Sequence, residues 1–196
     1  RDLELRGLRG IEDVNTVFTN NDIKVIKRIL KRQLDSYVNG ELKMAGYKKD
    51  IKGLKKALES YKKDIDKTLY VGEMFDKADA YIKKMVKKTG VEYEKTSIGD
   101  MKKAMAAIDK VLENFDIKNY SSDGWEKIKS AYNDANDVIS SSWYKGESYK
   151  LDKNLKEKLD KVKTAKEEKA EKAKKKADKK KDDSKKQEKS DKGSKK

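Results

Sequence analysis

The 196-residue chain contains no cysteine, no histidine and no proline. Without thiols there is no disulfide, no thiolate nucleophile and no zinc-finger or iron–sulfur ligation. Without imidazole there is no Ser-His-Asp triad and no side chain that shuttles protons near neutral pH at its ordinary pKa. Lack of cysteine suits a reducing cytosol, and equally an exported protein that does not rely on disulfides. Lack of proline suits long uninterrupted helices. Apolar residues are scarce, at 35%, and no apolar run approaches the roughly 18 residues of a membrane span. No glycine-rich loop that would cradle a phosphate is present. Carboxylates are abundant, but none falls in an apolar setting that would set two pKa values apart. Asn119-x-Ser121-x-Asp123-Gly124 imitates the start of an EF-hand loop, yet its twelfth position is Ser130, where a bidentate Glu is needed. The expectation is a non-catalytic chain with no cofactor and no metal.

What the chain has is charge. Charged residues make up 44%, against roughly 25% in ordinary domains. The formal net charge is +15, from 51 Lys+Arg against 36 Asp+Glu. It is unevenly spread. Residues 163–196 hold 16 Lys and 8 Asp+Glu, a net of +8, which leaves +7 for the first 162 residues. All five Arg lie within the first 32 residues. From Lys179 onward there is no apolar residue, and such a segment cannot bury enough surface to offset its ordering entropy. A disordered Lys-rich tail is therefore expected, and 165–177 can extend the preceding helix as a solvated rod. The chain opens on Arg1 rather than Met, which reads as a fragment or processed product in which any export signal would already be missing.

Residues 1–20 form a weakly patterned arm. Helical periodicity then dominates. A first helix is expected over about 21–37, capped by Asn21 and ended by Asn39-Gly40. A second, over about 41–67, carries Tyr47, Ile51, Leu54, Leu58, Tyr61 and Ile65 at spacings of 4, 3, 4, 3 and 4, an a/d seam of the coiled-coil kind. A third covers about 72–87. A fourth opens on the capping-box pattern Ser97-x-x-Asp100 and turns Met101, Met105, Ile108, Leu112 and Phe115 inward. A fifth follows Ser121-Ser122 with Trp125 in its apolar stripe, and a sixth starts near Ser148. Each helix has a single stripe, so it buries one seam and leaves the rest wet. The expected fold is all-α: an elongated helical bundle, or tandem small bundles, of about six amphipathic helices. The expected units are an arm (1–20), a helical pair (21–69), a helical unit (70–118), a second unit (119–165) and the tail (166–196).

An internal repeat is suggested. Ala78-x-x-Tyr81-Ile82 aligns with Ala135-x-x-Val138-Ile139 at an offset of 57, and Met101, Met105 and Ile108 align with Leu155, Leu159 and Val162 at an offset of 54. The second unit reads Tyr120-Ser121-Ser122-Asp123-Gly124-Trp125, then Ala131, Ala135 and Val138, a polar loop, and Leu151-Asp152 with Leu155 and Leu159. This resembles the FIVAR domain over about residues 120–165, with a fainter copy over 70–115 in which Thr68 stands where the offset places Trp125. It departs from the family in Trp143-Tyr144-Lys145-Gly146 and in lacking an Ala-rich second helix. The resemblance implies small helical units of exported, cell-wall-associated proteins of Gram-positive bacteria, with adhesion or glycan binding as their role.

Two groups of candidate site residues follow. Trp143, Tyr144 and Tyr149 lie in or beside a Ser-rich loop. They either stack on a sugar ring or a protein partner, or fold back as a lid over the helices. Lys24, Lys27, Arg28, Lys31 and Arg32 on the first helix, with Lys174, Lys175, Lys176, Lys179, Lys180 and Lys181 in the tail, are candidates for polyanion contact. Three functions are open. One is a surface-associated or secreted interaction module drawn to an anionic cell-wall polymer, outside the cell or on its wall. A second is a cytoplasmic or virion protein bound unspecifically to nucleic acid. A third is a structural subunit whose exposed seam pairs with another chain in an oligomer.

Overall fold

The computed structural model describes the backbone of residues 18–193 and side chains to residue 183; the arm up to residue 17 lies outside the described residues. Seven α-helices carry the described chain: α1 (Asn20–Ser36), α2 (Ile51–Lys67), α3 (Val71–Thr89), α4 (Ile98–Glu113), α5 (Ser122–Ser140), α6 (Leu151–Asp160) and α7 (Ala165–Gly193). No strand is present among the described residues; a single antiparallel bridge joins Lys95 to Tyr144. The all-α fold of amphipathic helices is thus the one that the periodicity predicts.

The helix starts are built by side-chain caps. Ser97 and Asp100 form the expected capping box of α4. At α1 the cap is Thr19, one turn ahead of Asp22, and not Asn21. In both boxes the backbone amide of the capping residue donates to the Asp carboxylate, which holds that carboxyl below its usual range. Ser121 caps α5 by accepting from the Gly124 amide at 3.1 Å; the EF-hand-like stretch serves as a helix start.

The end of α1 departs from expectation. Asn39-Gly40 does not stop the helix. The chain runs on through a π-helical turn (Tyr37–Glu41) and a last turn (Leu42–Met44). It stops at Gly46, whose φ is +69°. The Gly46 amide bonds to the Lys43 carbonyl and the Tyr47 amide to the Leu42 carbonyl, the paired bonds of a Schellman stop. Glycine serves different ends at the two positions: Gly46 supplies a left-handed residue, and Gly40 supplies missing volume.

Buried side chains form two cores. The first joins α1, the π-turn, α2 and α3 through Ile26, Leu30, Leu34, Leu54, Leu58, Ile65, Met74, Ala78, Ile82 and Met85, among others. The second joins α4, α5 and α6 through Ile108, Ile128, Ala135, Ile139, Leu155 and Leu159. The a/d seam of α2 is therefore consumed inside the first bundle, with Leu54 and Ile65 almost fully buried. The boundary falls between Tyr93, in the first core, and Met101, on the second. This divides the expected 70–118 unit: α3 packs on the first core and α4 on the second. The expected helical pair of 21–69 gains α3 as a third partner for the same reason. The apolar stripe of α3 finds α1 and α2, so the two proposed repeat copies do not form equivalent helix pairs.

The Lys-rich segment begins at Thr164, whose hydroxyl accepts from the Glu167 amide. The hydroxyl of Ser121 donates to Glu168 at 3.1 Å, which ties the root of α7 to the start of α5. From Lys172 to Asp183 every side chain is exposed. Beyond this root α7 has no apolar stripe to dock and rests on local propensity.

Candidate functional site

The loop between α5 and α6, residues 141–150, holds the aromatic candidates. A short 3-10 turn (Lys145–Ser148) folds it back on itself. Its centre is Glu147, 5% exposed. The Glu147 carboxylate accepts from Arg32 Nε at 3.1 Å and Nη2 at 2.8 Å, and from the backbone amides of Trp143 at 2.7 Å and Tyr144 at 2.9 Å. Arg32 Nη2 also reaches the Ser141 hydroxyl at 3.0 Å. Burial pushes the Glu147 carboxyl up, opposed by the Arg32 charge and the two amides. One buried ion pair thus binds α1 to a loop more than a hundred residues later in the chain.

Backbone contact reinforces the join. A Cβ at Gly40 would lie 2.3 Å from the Gly146 carbonyl oxygen, and one at Gly146 would lie 2.7 Å from the Ser36 oxygen. Only two glycines let the π-turn and the loop approach this closely. Thr96 donates to the Trp143 carbonyl and Lys145 to that of Glu94, both at 2.9 Å. Beside this seam Glu41 is buried, with Oε2 lacking a hydrogen-bond partner. Burial raises its carboxyl too.

The aromatic residues are separated by this fold. Tyr144 is 8% exposed and stacks on Tyr93 at 4.0 Å, which in turn tilts against Tyr37 at 5.2 Å. Trp143 is half-buried and stacks beside Phe75 at 6.4 Å. Tyr144 is covered and Trp143 partly so, the arrangement that the lid reading expects. Tyr149 lines a cleft of about 310 Å³. Trp125 is half-buried against the second core, next to Tyr120.

The cationic stripe of α1 is similarly spent. Lys27 donates to the Asp66 carbonyl at 2.7 Å, Lys31 pairs with Asp66 at 2.8 Å, and Arg32 is taken by Glu147. Lys24 and Arg28 remain exposed without an ion pair among the described residues. The 560 Å³ cleft between α1, α2 and α5 is lined by Arg28, Lys31 and Arg32 on one side and by Asp134 and Asp137 on another, so it offers no net attraction to an anion. The tail candidates Lys174, Lys175, Lys176, Lys179, Lys180 and Lys181 are all exposed; among them Lys175 pairs with Glu171 at 3.4 Å.

A second cationic region was not among the candidates. Residues 43–56 hold six Lys and one Asp, and Asp50 is paired with Lys88 at 2.9 Å. Lys43, Lys48 and Lys55 rim a cleft of about 310 Å³ whose wall includes Val38, Tyr47, Ile51 and Tyr149. The lysine run is visible in the sequence, but it shares its residues with the heptad seam, whose local signal is packing.

Among the described residues, no cluster of three or more Asp and Glu is placed to hold a metal ion. No helix among them is long and apolar enough to cross a membrane. Searches against models of protein families, curated proteins and solved structures found no match. Fold and site define the chain as a pair of small helical bundles, clamped by one loop and trailed by a cationic helix.

Proposed function

We propose that this is a non-catalytic helical interaction module, held near an anionic polymer by its cationic tail, in the exported, wall-associated setting that the FIVAR resemblance implies. The observation that carries the reading is the tail itself. Its root is bonded to the second bundle through Glu168, and every described side chain beyond Lys172 faces solvent. Lysines so displayed attract polyphosphate chains by counterion release. The tail has no aromatic residue and no Arg, so it carries nothing that stacks on bases or reads their edges.

The test is a titration with a poly(glycerol phosphate) teichoic acid at several salt concentrations. Replacing Lys174, Lys175, Lys176, Lys179, Lys180 and Lys181 by Gln should make the dependence of log K on log salt distinctly shallower. An unchanged slope would overturn the role of the tail. Duplex DNA in the same assay addresses the nucleic-acid reading, which Lys24 and Arg28 support through their exposure. Tighter binding to DNA than to the teichoic polymer, lost in a Lys24→Gln/Arg28→Gln variant, would replace the first reading with that one. Leu54, Leu58 and Ile65 of the α2 seam are buried within the chain, which favours the module reading over a structural subunit that pairs through that seam.

A further inference from the structure

Three cavities among the described residues differ in their chemistry. The void against Trp143 and Phe75 is only about 10 Å³, too small for a ligand. The large cleft between α1, α2 and α5 carries acids and bases in balance. The third, of about 310 Å³, has no acid in its lining.

Its geometry follows from local structure. The Schellman stop at Gly46 swings the chain away from the π-turn and sets Tyr47 and Lys48 on one side. Ile51 and Lys55, four apart on one face of the first turns of α2, follow, and Lys48 joins them from the turn before the helix. Tyr149 closes the opposite side from the clamping loop. Val38 is buried and Tyr47, Ile51 and Tyr149 are half-buried, whereas Lys43, Lys48 and Lys55 are exposed. The result is an apolar, partly aromatic base under a rim of three ammonium groups. None of the three has an ion pair among the described residues, and the nearby Asp50 is engaged by Lys88. The hydroxyls of Tyr47 and Tyr149 make no hydrogen bond among the described residues, so both can donate to a ligand. Lys150 Nζ lies over the Tyr149 ring, 5.3 Å from its centre.

We propose that this cleft binds a small organic anion with a flat apolar body, an aromatic sulfonate, carboxylate or phosphate. The body lies against Val38, Ile51 and the two tyrosine rings. The anionic group sits among the ammonium groups and accepts from the tyrosine hydroxyls. Apolar burial supplies the attraction for the body, and the uncompensated lysines supply the selectivity for charge. Because Tyr149 belongs to the loop that joins the bundles, occupancy also steadies the clamp.

The probe is 1-anilinonaphthalene-8-sulfonate, with its uncharged parent N-phenyl-1-naphthylamine as control. The full chain is titrated by fluorescence and by amide chemical shifts. The expected result is one saturable site per chain, with shifts centred on Gly46, Tyr47, Lys48 and Tyr149. A Lys43→Gln/Lys48→Gln/Lys55→Gln variant, whose exposed positions leave the helical signal intact, should weaken binding by about tenfold or more. Tyr149→Ala should weaken it as well, and neutralising the six tail lysines should not. No saturable binding, equal affinity for the uncharged parent, shifts centred elsewhere, or an unaffected triple variant would each overturn the assignment. The tail variant separates this site from the polymer-binding role, since either can fail while the other stands.

Discussion

Glu147 and Arg32 show how much one buried pair controls here. The Glu147 side chain is fully inaccessible and that of Arg32 is 21% exposed. Removing one partner leaves the other charge buried and unpaired, at a cost of about 3–5 kcal/mol. Arg32→Ala should therefore lower the urea midpoint by that equivalent. Arg32→Lys should recover only part of it, because an ammonium cannot replace the Nε and Nη2 fork. Glu41 is buried without such a cationic partner among the described residues. Its buried carboxyl has one oxygen without a partner, and burial raises it above the ordinary value of 4.5. A carboxyl raised in the folded state contributes stability that is complete below its unfolded pKa and is lost as pH rises through the folded one. Glu147, raised for the same cause, has the same sign. Stability should thus decline as pH climbs above about 4.5 through the weakly acidic range. Glu41→Gln should flatten that decline and raise neutral-pH stability by up to about 1 kcal/mol, measured by denaturant unfolding across pH. A variant with the full wild-type decline would remove Glu41 from its cause.

Among the elements, the π-turn and the tail helix carry opposite lessons. The π-turn is held by tertiary contact: its geometry places Gly40 against Gly146, where a Cβ would fall 2.3 Å from a carbonyl oxygen. Gly40→Ala should cost about 1–3 kcal/mol through forced backbone separation. At Gly46 a Cβ would meet nothing within 4 Å, so Gly46→Asn, a residue that tolerates the left-handed region, should be nearly neutral. Thermal unfolding of the two variants distinguishes filled space from turn conformation. The tail helix α7 has no packed face beyond its root. Lys176→Pro should reduce far-UV helical signal while leaving the cooperative transition of the bundles in place. A lowered transition temperature would mean that α7 packs on the body.

Over the whole molecule, two cores share one clamp. Leu159 is fully buried in the second core and Leu58 nearly so in the first. Leu159→Ala should cost about 2–5 kcal/mol. Native-state hydrogen exchange should then show protection lost first in α4, α5 and α6, with α1, α2 and α3 retaining more. Uniform loss in both bundles would instead mean that the clamp makes one cooperative unit.

The apolar stripes of all six body helices, the capping box at Ser97 and the charge asymmetry of the tail were legible in order of residues alone. Periodicity and capping act within a few positions, so neighbours in sequence suffice to specify them. The role of Gly40 was not legible, because its partner Gly146 is far away in the chain and a close approach leaves no local mark. Arg32 reads as one more cation in a stripe until Glu147 arrives beside it, and Tyr144 reads as an exposed loop aromatic until Tyr93 covers it. Both shift from ligand candidates to framework once two distant segments pack. The lysines of 43–56 move the other way, from packing and solvation to the rim of a cleft, which Tyr149, itself a candidate from the sequence, helps to line. Local sequence pattern specified the helices and their apolar faces; long-range packing decided which charges were neutralised and which rings were covered, because those outcomes depend on contacts between segments that share no local signal.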